Sequence, residues 1–150
     1  MREIVGYEGQ YSIDSEGTVW SLKYGKMKKL KATCNGNGYM RLNLSKDGKI
    51  KKYYIHRLLA EAYLPDFCED LQVDHIDRDR TNNCISNLRM VTHQQNMFNT
   101  NAKGCYFYKN RNKWHARIRV NDKMHHLGYF ESEDDARQAY LKAKENMHKI

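Results

Sequence analysis

Proline is all but missing from this chain: Pro65 is the single one in 150 residues. Long apolar runs are missing too. No stretch is apolar enough to span a bilayer, and the N-terminus lacks the hydrophobic region of a secretory signal. The expectation is a soluble, intracellular protein, in the cytoplasm. Cysteine is scarce, with Cys34, Cys68, Cys84 and Cys105 standing alone and no C-x-x-C pair among them. That argues against a structural zinc knuckle and, without a secretion signal, against a disulfide framework. Aliphatic content is modest and tyrosine, at 11 residues, is plentiful. A chain of this length and composition is better suited to small modules than to one large core.

What is abundant is charge, and its distribution tells more than the net +8. Residues 1–60 hold 12 Lys/Arg against 5 Asp/Glu, residues 61–100 hold 3 against 7, and residues 101–150 hold 11 against 6. Two basic segments flank an acidic centre. Basic flanks suit a polyanion. The acidic centre would repel that polyanion unless a cation sits there, which is the charge pattern of a metal-dependent nuclease.

The spacing of apolar residues predicts short strands over residues 11–22, then Tyr39–Leu44 and Lys51–Ile55 around an Asp47-Gly48 hairpin turn. Lys28, Lys29, Lys31 and Arg41 lie along this basic segment as candidate DNA contacts. The Asn35-Gly36-Asn37-Gly38 loop can bring backbone close to a phosphate chain. His56 to Tyr63 has helical spacing, and Pro65 stops it. His56 and Arg57 are read as helix-surface residues or phosphate contacts. Leu71–His75 and Leu88–Val91 read as two strands around a polar loop. Thr92 opens a helix over 93–99, with Gln95 as its capping-box partner. Beyond Ala102-Lys103-Gly104, strands are expected at Tyr106–Tyr108, Trp114–Val120 and His125–Phe130, then a helix capped by Ser132 with an Ala136/Ala139/Tyr140/Ala143 stripe. Lys109, Arg111 and Lys113 are candidate phosphate contacts, and Arg117 and Arg119 share one strand face. Trp114 serves either packing or DNA contact. His125 and His126 alternate faces and are read as having no partners.

The chemistry concentrates in Asp74-His75. Asp74 offers a hard oxygen for Mg²⁺ or a similar ion, and neutral His75 can take a proton from water. On a regular strand the two side chains point to opposite faces, so for them to converge either the strand ends there or the metal and water lie at its edge. Asn96 brings an amide oxygen as second metal ligand, with His93, three residues earlier, as its rival. Asn87 is better placed to tether the loop than to touch the metal.

Ile55-His56-Arg57-Leu58-Leu59-Ala60, Val73-Asp74-His75-Ile76-Asp77, Asn82-Asn83, Asn87-Leu88-Arg89 and Val91-Thr92 with Asn96 together resemble the HNH nuclease domain of phage and intron-encoded homing endonucleases. The resemblance implies a ββα-metal fold clamping one divalent ion, Mg²⁺ or else Mn²⁺. It implies His75 as general base, Asp74 and Asn96 as metal ligands, and Asn87 as loop brace. The N-terminal Ile4–Ser21 pattern resembles the module found beside such nucleases. Gly104, Trp114, Ala116, Leu127-Gly128, Phe130, Ala136 and Ala139-Tyr140 resemble the frame of the ethylene-response-factor DNA-binding domain.

The expected fold is therefore α+β in three small modules. These are an N-terminal antiparallel β segment (1–52), a ββα-metal nuclease (53–101), and a three-stranded antiparallel sheet packed on one helix (102–150). The expected activity is site-recognising, metal-dependent hydrolysis of double-stranded DNA, most simply nicking by a monomer. A non-catalytic DNA-binding regulator is the alternative.

Overall fold

A computed structural model describes residues 1–149, and the chain divides into two compact units, Met1–Thr92 and His93–Ile150. The architecture is α+β, built of small antiparallel sheets and three helices.

In the first unit, β1 (Arg2–Glu3), β2 (Tyr11–Ile13), β3 (Val19–Ser21) and β4 (Lys28–Lys29) form a sheet in chain order. The β2–β3 turn is organised by Asp14. Its carboxylate accepts N–H bonds from Glu16 (3.1 Å) and Thr18 (2.8 Å) and the indole N–H of Trp20 (3.3 Å). A second sheet joins β5 (Thr33–Cys34), β6 (Met40–Lys46) and β7 (Lys49–Tyr54). The Asp47-Gly48 connection has φ of 51° and 74°, the doubly positive geometry of the tight hairpin turn that this dipeptide favours. Helix α1 (Ile55–Tyr63) follows directly, and Leu64 ends it before Pro65. Then come β8 (Gln72–His75) and β9 (Leu88–Val91), a two-stranded ladder in which Asp74 faces Arg89 and His75 faces Leu88.

One continuous apolar core holds this unit. Ile4, Tyr11, Ile13 and Val19 from the first sheet and Leu42 and Leu44 from the second pack with Ile55, Leu58 and Leu59 of α1 and with Leu88 of β9. The boundary expected near residue 52 thus falls inside a shared core. Short strands with few large side chains cannot bury their apolar faces alone, so the N-terminal sheets and α1 bury one another.

In the second unit, α2 (His93–Phe98) precedes the sheet of β10 (Cys105–Tyr108), β11 (Lys113–Val120) and β12 (Lys123–Phe130). Helix α3 (Glu133–Met147) packs on it, its first turn capped by the Ser132 hydroxyl accepting from Asp135 N–H at 3.1 Å. Cys105, Ala116 and Ala136 form the small core, flanked by Trp114, Leu127, Phe130 and Ala139. Gly104, at φ +68°, lies so close to the Tyr140 ring that an added Cβ would sit 2.0 Å from it. No helix among the described residues is long and apolar enough to cross a membrane.

Candidate active site

His75 is the last residue of β8 and is almost wholly buried, as is Asp74 before it. A carboxylate taken out of water needs a compensating charge. For Asp74 it comes from its cross-strand partner: Arg89 Nε and Nη2 reach Asp74 Oδ2 at 2.9 and 2.8 Å.

His75 Nε2 lies 3.1 Å from Asn83 Oδ1, and Asn83 Nδ2 donates to the Thr81 carbonyl at 3.2 Å. The second bond fixes which end of the Asn83 amide faces the histidine. A carbonyl oxygen only accepts, so neutral His75 carries its proton on Nε2, and Nδ1 is its basic nitrogen. The neighbouring turn buttresses Asn83. Gly17, at φ +76°, would place an added Cβ 2.7 Å from the Asn83 carbonyl oxygen, and the Ser15 carbonyl accepts from Ile85 N–H at 2.9 Å.

The polar loop between β8 and β9 closes on Asn87. Its Nδ2 donates to Asp77 Oδ1 and to the Asn82 carbonyl, both at 2.9 Å, while its Oδ1 accepts from Asp77 N–H at 3.1 Å. Asn82 Nδ2 adds a 2.7 Å bond to Asp77 Oδ2. These bonds hold the Asp77 carboxyl below its usual range, the Asn82 contact contributing most.

His56 is not a helix-surface residue. It is 8% exposed, because the face of α1 that carries it turns toward rings of other elements. Its ring centroid lies 5.2 Å from that of His75, 5.1 Å from Tyr39 and 5.5 Å from Tyr54. Burial first, then the charges of His75 and Arg57, pushes its imidazole down to about 4. Its Nδ1 is buried with no hydrogen-bond partner. Tyr39 is itself 6.2 Å from His75, centroid to centroid, and carries the Arg80 guanidinium on its ring at 4.7 Å.

The remaining predicted residues lie as follows. Lys28, Lys29 and Lys31 are exposed on and after β4, Arg41 is half-buried on β6, and half-buried Arg57 stacks on Phe67. Helix α2 carries exposed His93 and half-buried Asn96, and belongs to the second unit. Lys109 and Arg111 occupy a 3-10 turn, with Arg111 over the Tyr129 ring at 4.5 Å. Lys113 pairs with Glu131 at 2.8 Å. Trp114 is half-buried against the α3 side of the sheet, so packing claims its ring, with Lys103 over it at 5.3 Å. Arg117 and Arg119 are exposed, and Arg117 lies over Tyr106 at 4.8 Å. The reading of His126 as lacking a partner requires correction. His126 Nδ1 is 3.0 Å from His115 Nε2 and their rings stack; the register shift after Ala116 pairs His126 with Arg117, two residues beyond His115 on the same strand.

Sequence reasoning passed over Asn83, Arg89, Tyr39 and Arg80. Asn83 and Arg89 stand inside the quoted motif, so their position was a signal. Tyr39 and Arg80 carried none.

Among the described residues no three His, Cys, Asp or Glu side chains gather into a closed metal cage. The buried Asp74 carboxylate is a hard oxygen donor. It fits a hard cation that keeps part of its water shell, not a tetrahedral zinc.

A strand pair with Asp-His at one strand's end, a bonded loop and then a short helix is where the HNH endonuclease family model matches this chain, over residues 53–98. DNA endonuclease I-HmuI of Bacillus phage SP01 is 41% identical over 103 residues, 69% of this chain and 58% of that protein. H-N-H endonuclease F-TflII of Escherichia phage T5 is 32% identical over 96 residues, 63% of this chain and 49% of that protein. The solved structure titled "DNA binding and cleavage by the HNH homing endonuclease I-HmuI" is similar at a TM-score of 0.61 and 42% identity, over 65% of this chain and 55% of that one. The chain thus spans about half to three-fifths of the length of these relatives.

Proposed function

We propose that the protein is a metal-dependent DNA endonuclease of the homing type, hydrolysing phosphodiester bonds of double-stranded DNA. The observation that carries the reading is the pinned tautomer of His75. With its Nε2 hydrogen donated to Asn83, Nδ1 is the nitrogen left to act as the base. Asp74 holds the cation, and Asn96 is the second ligand, with His93 its rival. The ion is Mg²⁺, or Mn²⁺ in its place. When bound, it stabilises charge developing on the phosphate and on the departing 3′-oxygen. Arg89 holds the Asp74 carboxylate in place, and Asn87 keeps the loop closed.

The flanking residues supply affinity in this reading. Residues 1–52 offer Lys28, Lys29, Lys31 and Arg41, with Arg57 of α1 nearer the site. Residues 102–150 act as a DNA-binding module of the ethylene-response-factor kind, with Arg117, Arg119, Arg111 and Lys109 as phosphate or base contacts. Exposure of those four side chains supports that use. Trp114 and Lys113 contribute through packing and pairing. His56 serves the site from inside by packing on His75. The enzyme works as a monomer that nicks one strand, in the cytoplasm of a bacterial host.

The test uses His75→Ala and wild type on plasmid DNA with Mg²⁺, with and without EDTA. Wild type converts the plasmid only with metal. The variant leaves it intact while binding DNA within about threefold of wild type, since removing a proton acceptor spares the phosphate contacts. Undiminished cutting by the variant would refute the assignment. Wild type that binds DNA but never cuts it points to a non-catalytic regulator.

A further inference from the structure

The acidic stretch 61–100 holds only three cations, Arg78, Arg80 and Arg89. Arg89 is committed to Asp74. Arg80 is exposed yet fixed at two points. Its Nη1 donates to the Asn37 carbonyl at 2.8 Å, and its guanidinium lies over the Tyr39 ring at 4.7 Å. Both anchors come from one turn, set by a single side chain: Asn35 Oδ1 accepts from Asn37 N–H and Tyr39 N–H, each at 2.9 Å. Gly38 completes that turn at φ +85°, a conformation few other residues adopt.

The two acidic neighbours of Arg80 are occupied elsewhere. Asp77 is bound by Asn82 and Asn87, and Asp79 by the hydroxyl and N–H of Thr81 at 2.7 and 2.9 Å. Among the described residues no carboxylate forms an ion pair with Arg80. A guanidinium has five N–H groups, and one of these is used at Asn37. An exposed arginine ordinarily gives up rotamer freedom when a ligand immobilises it. Here the stack and the carbonyl have already immobilised it, so the planar fork is pre-formed to meet two oxygens of a phosphate. Tyr39, the ring beneath it, is the same ring that lies 6.2 Å from His75 and 5.1 Å from His56.

We infer that Arg80, held by Tyr39 and the Asn37 carbonyl, grips the backbone phosphate adjoining the scissile one on the strand being cut. The inference rests on the endonuclease reading. It gives the Asn-Gly loop a use that the general affinity argument does not: it aims one cation rather than touching DNA itself.

The experiment measures single-turnover cleavage by wild type, Arg80→Met and Arg80→Lys on a duplex whose cut has been mapped. Each protein is also tested on duplexes carrying one neutral methylphosphonate at successive positions around the cut. Arg80→Met raises the half-saturating DNA concentration about tenfold, the worth of one charge-assisted hydrogen bond, and leaves the saturating rate within about threefold, because a flanking contact is made equally before and during reaction. Arg80→Lys, which keeps charge but not the planar fork, falls between. One methylphosphonate position costs wild type a similar factor and costs Arg80→Met nothing further. Equal half-saturation in wild type and Arg80→Met, or a methylphosphonate penalty that is the same in both at every position, overturns the assignment to Arg80 alone. A wild-type protein that cuts no DNA with Mg²⁺ or Mn²⁺ removes the endonuclease reading, and this one with it.

Discussion

His56 is held neutral far below the pH at which a solvated histidine charges, and this has a thermodynamic sign. Its imidazole titrates at about 4 when folded, against 6.5 for a free histidine. The unfolded chain therefore takes up a proton first as pH falls, so stability is lost between about 6.5 and 4, by up to about 3 kcal/mol. Urea melts at pH 7.5 and pH 5 should show this loss, and His56→Gln, uncharged at both, should show a smaller one. An unchanged difference in the variant would assign the loss to other groups. Legibility at this scale followed contiguity. Asp74 and His75 stand side by side in the sequence, so they could be singled out there. The tautomer that gives His75 its basic nitrogen depends on Asn83, eight residues away, and Arg80 finds its ring 41 positions back, at Tyr39. Such pairings are made by loops, and no periodicity encodes them.

Elements were more legible than their interiors. The α+β class, the Asp47-Gly48 hairpin, α1 with its stop before Pro65, the β8–β9 pair and the sheet-plus-helix of the second unit were all written in alternation, turn dipeptides and caps. Less legible was which rings a sheet covers. Trp114 and His56 were weighed as surface residues, and packing took both. The same packing makes Gly104 irreplaceable at the start of β10. Alanine there meets both a left-handed backbone and the Tyr140 ring, so Gly104→Ala should cost about 3 kcal/mol in the second unit. Amide exchange would localise the effect, with protection of β10, β11 and α3 falling while that of α1 and β8 holds. Uniform loss across both units would contradict it.

At the scale of the whole molecule, compactness does not follow the three functional segments. Because α1 completes the core of the N-terminal sheets, a fragment of residues 1–92 should melt cooperatively by circular dichroism, whereas residues 53–101 alone should not. A cooperative melt of the shorter piece would show that the nuclease segment needs no partner. The sequence pointed to small modules from its low aliphatic content, and small cores are what occur. The three modules expected from motifs compare with two compact units, since a core shared across residue 52 leaves no mark in the sequence such as a proline-rich linker.

Gly17 sets a limit on how such a chain can be recombined. The β2–β3 turn lies close against the carbonyl of Asn83, the residue bonded to His75, so an N-terminal segment from another protein must reproduce that turn or disturb the Asn83–His75 contact. A crossover at 52/53 inherits this mismatch. A crossover at 92/93 avoids it, but brings in the donor's own α2, and with it whichever residue stands where Asn96 does. Shuffling at the permissive joint therefore exchanges the proposed DNA-binding parts and a proposed metal ligand together, so new target preference and altered metal affinity would arise as one inherited change.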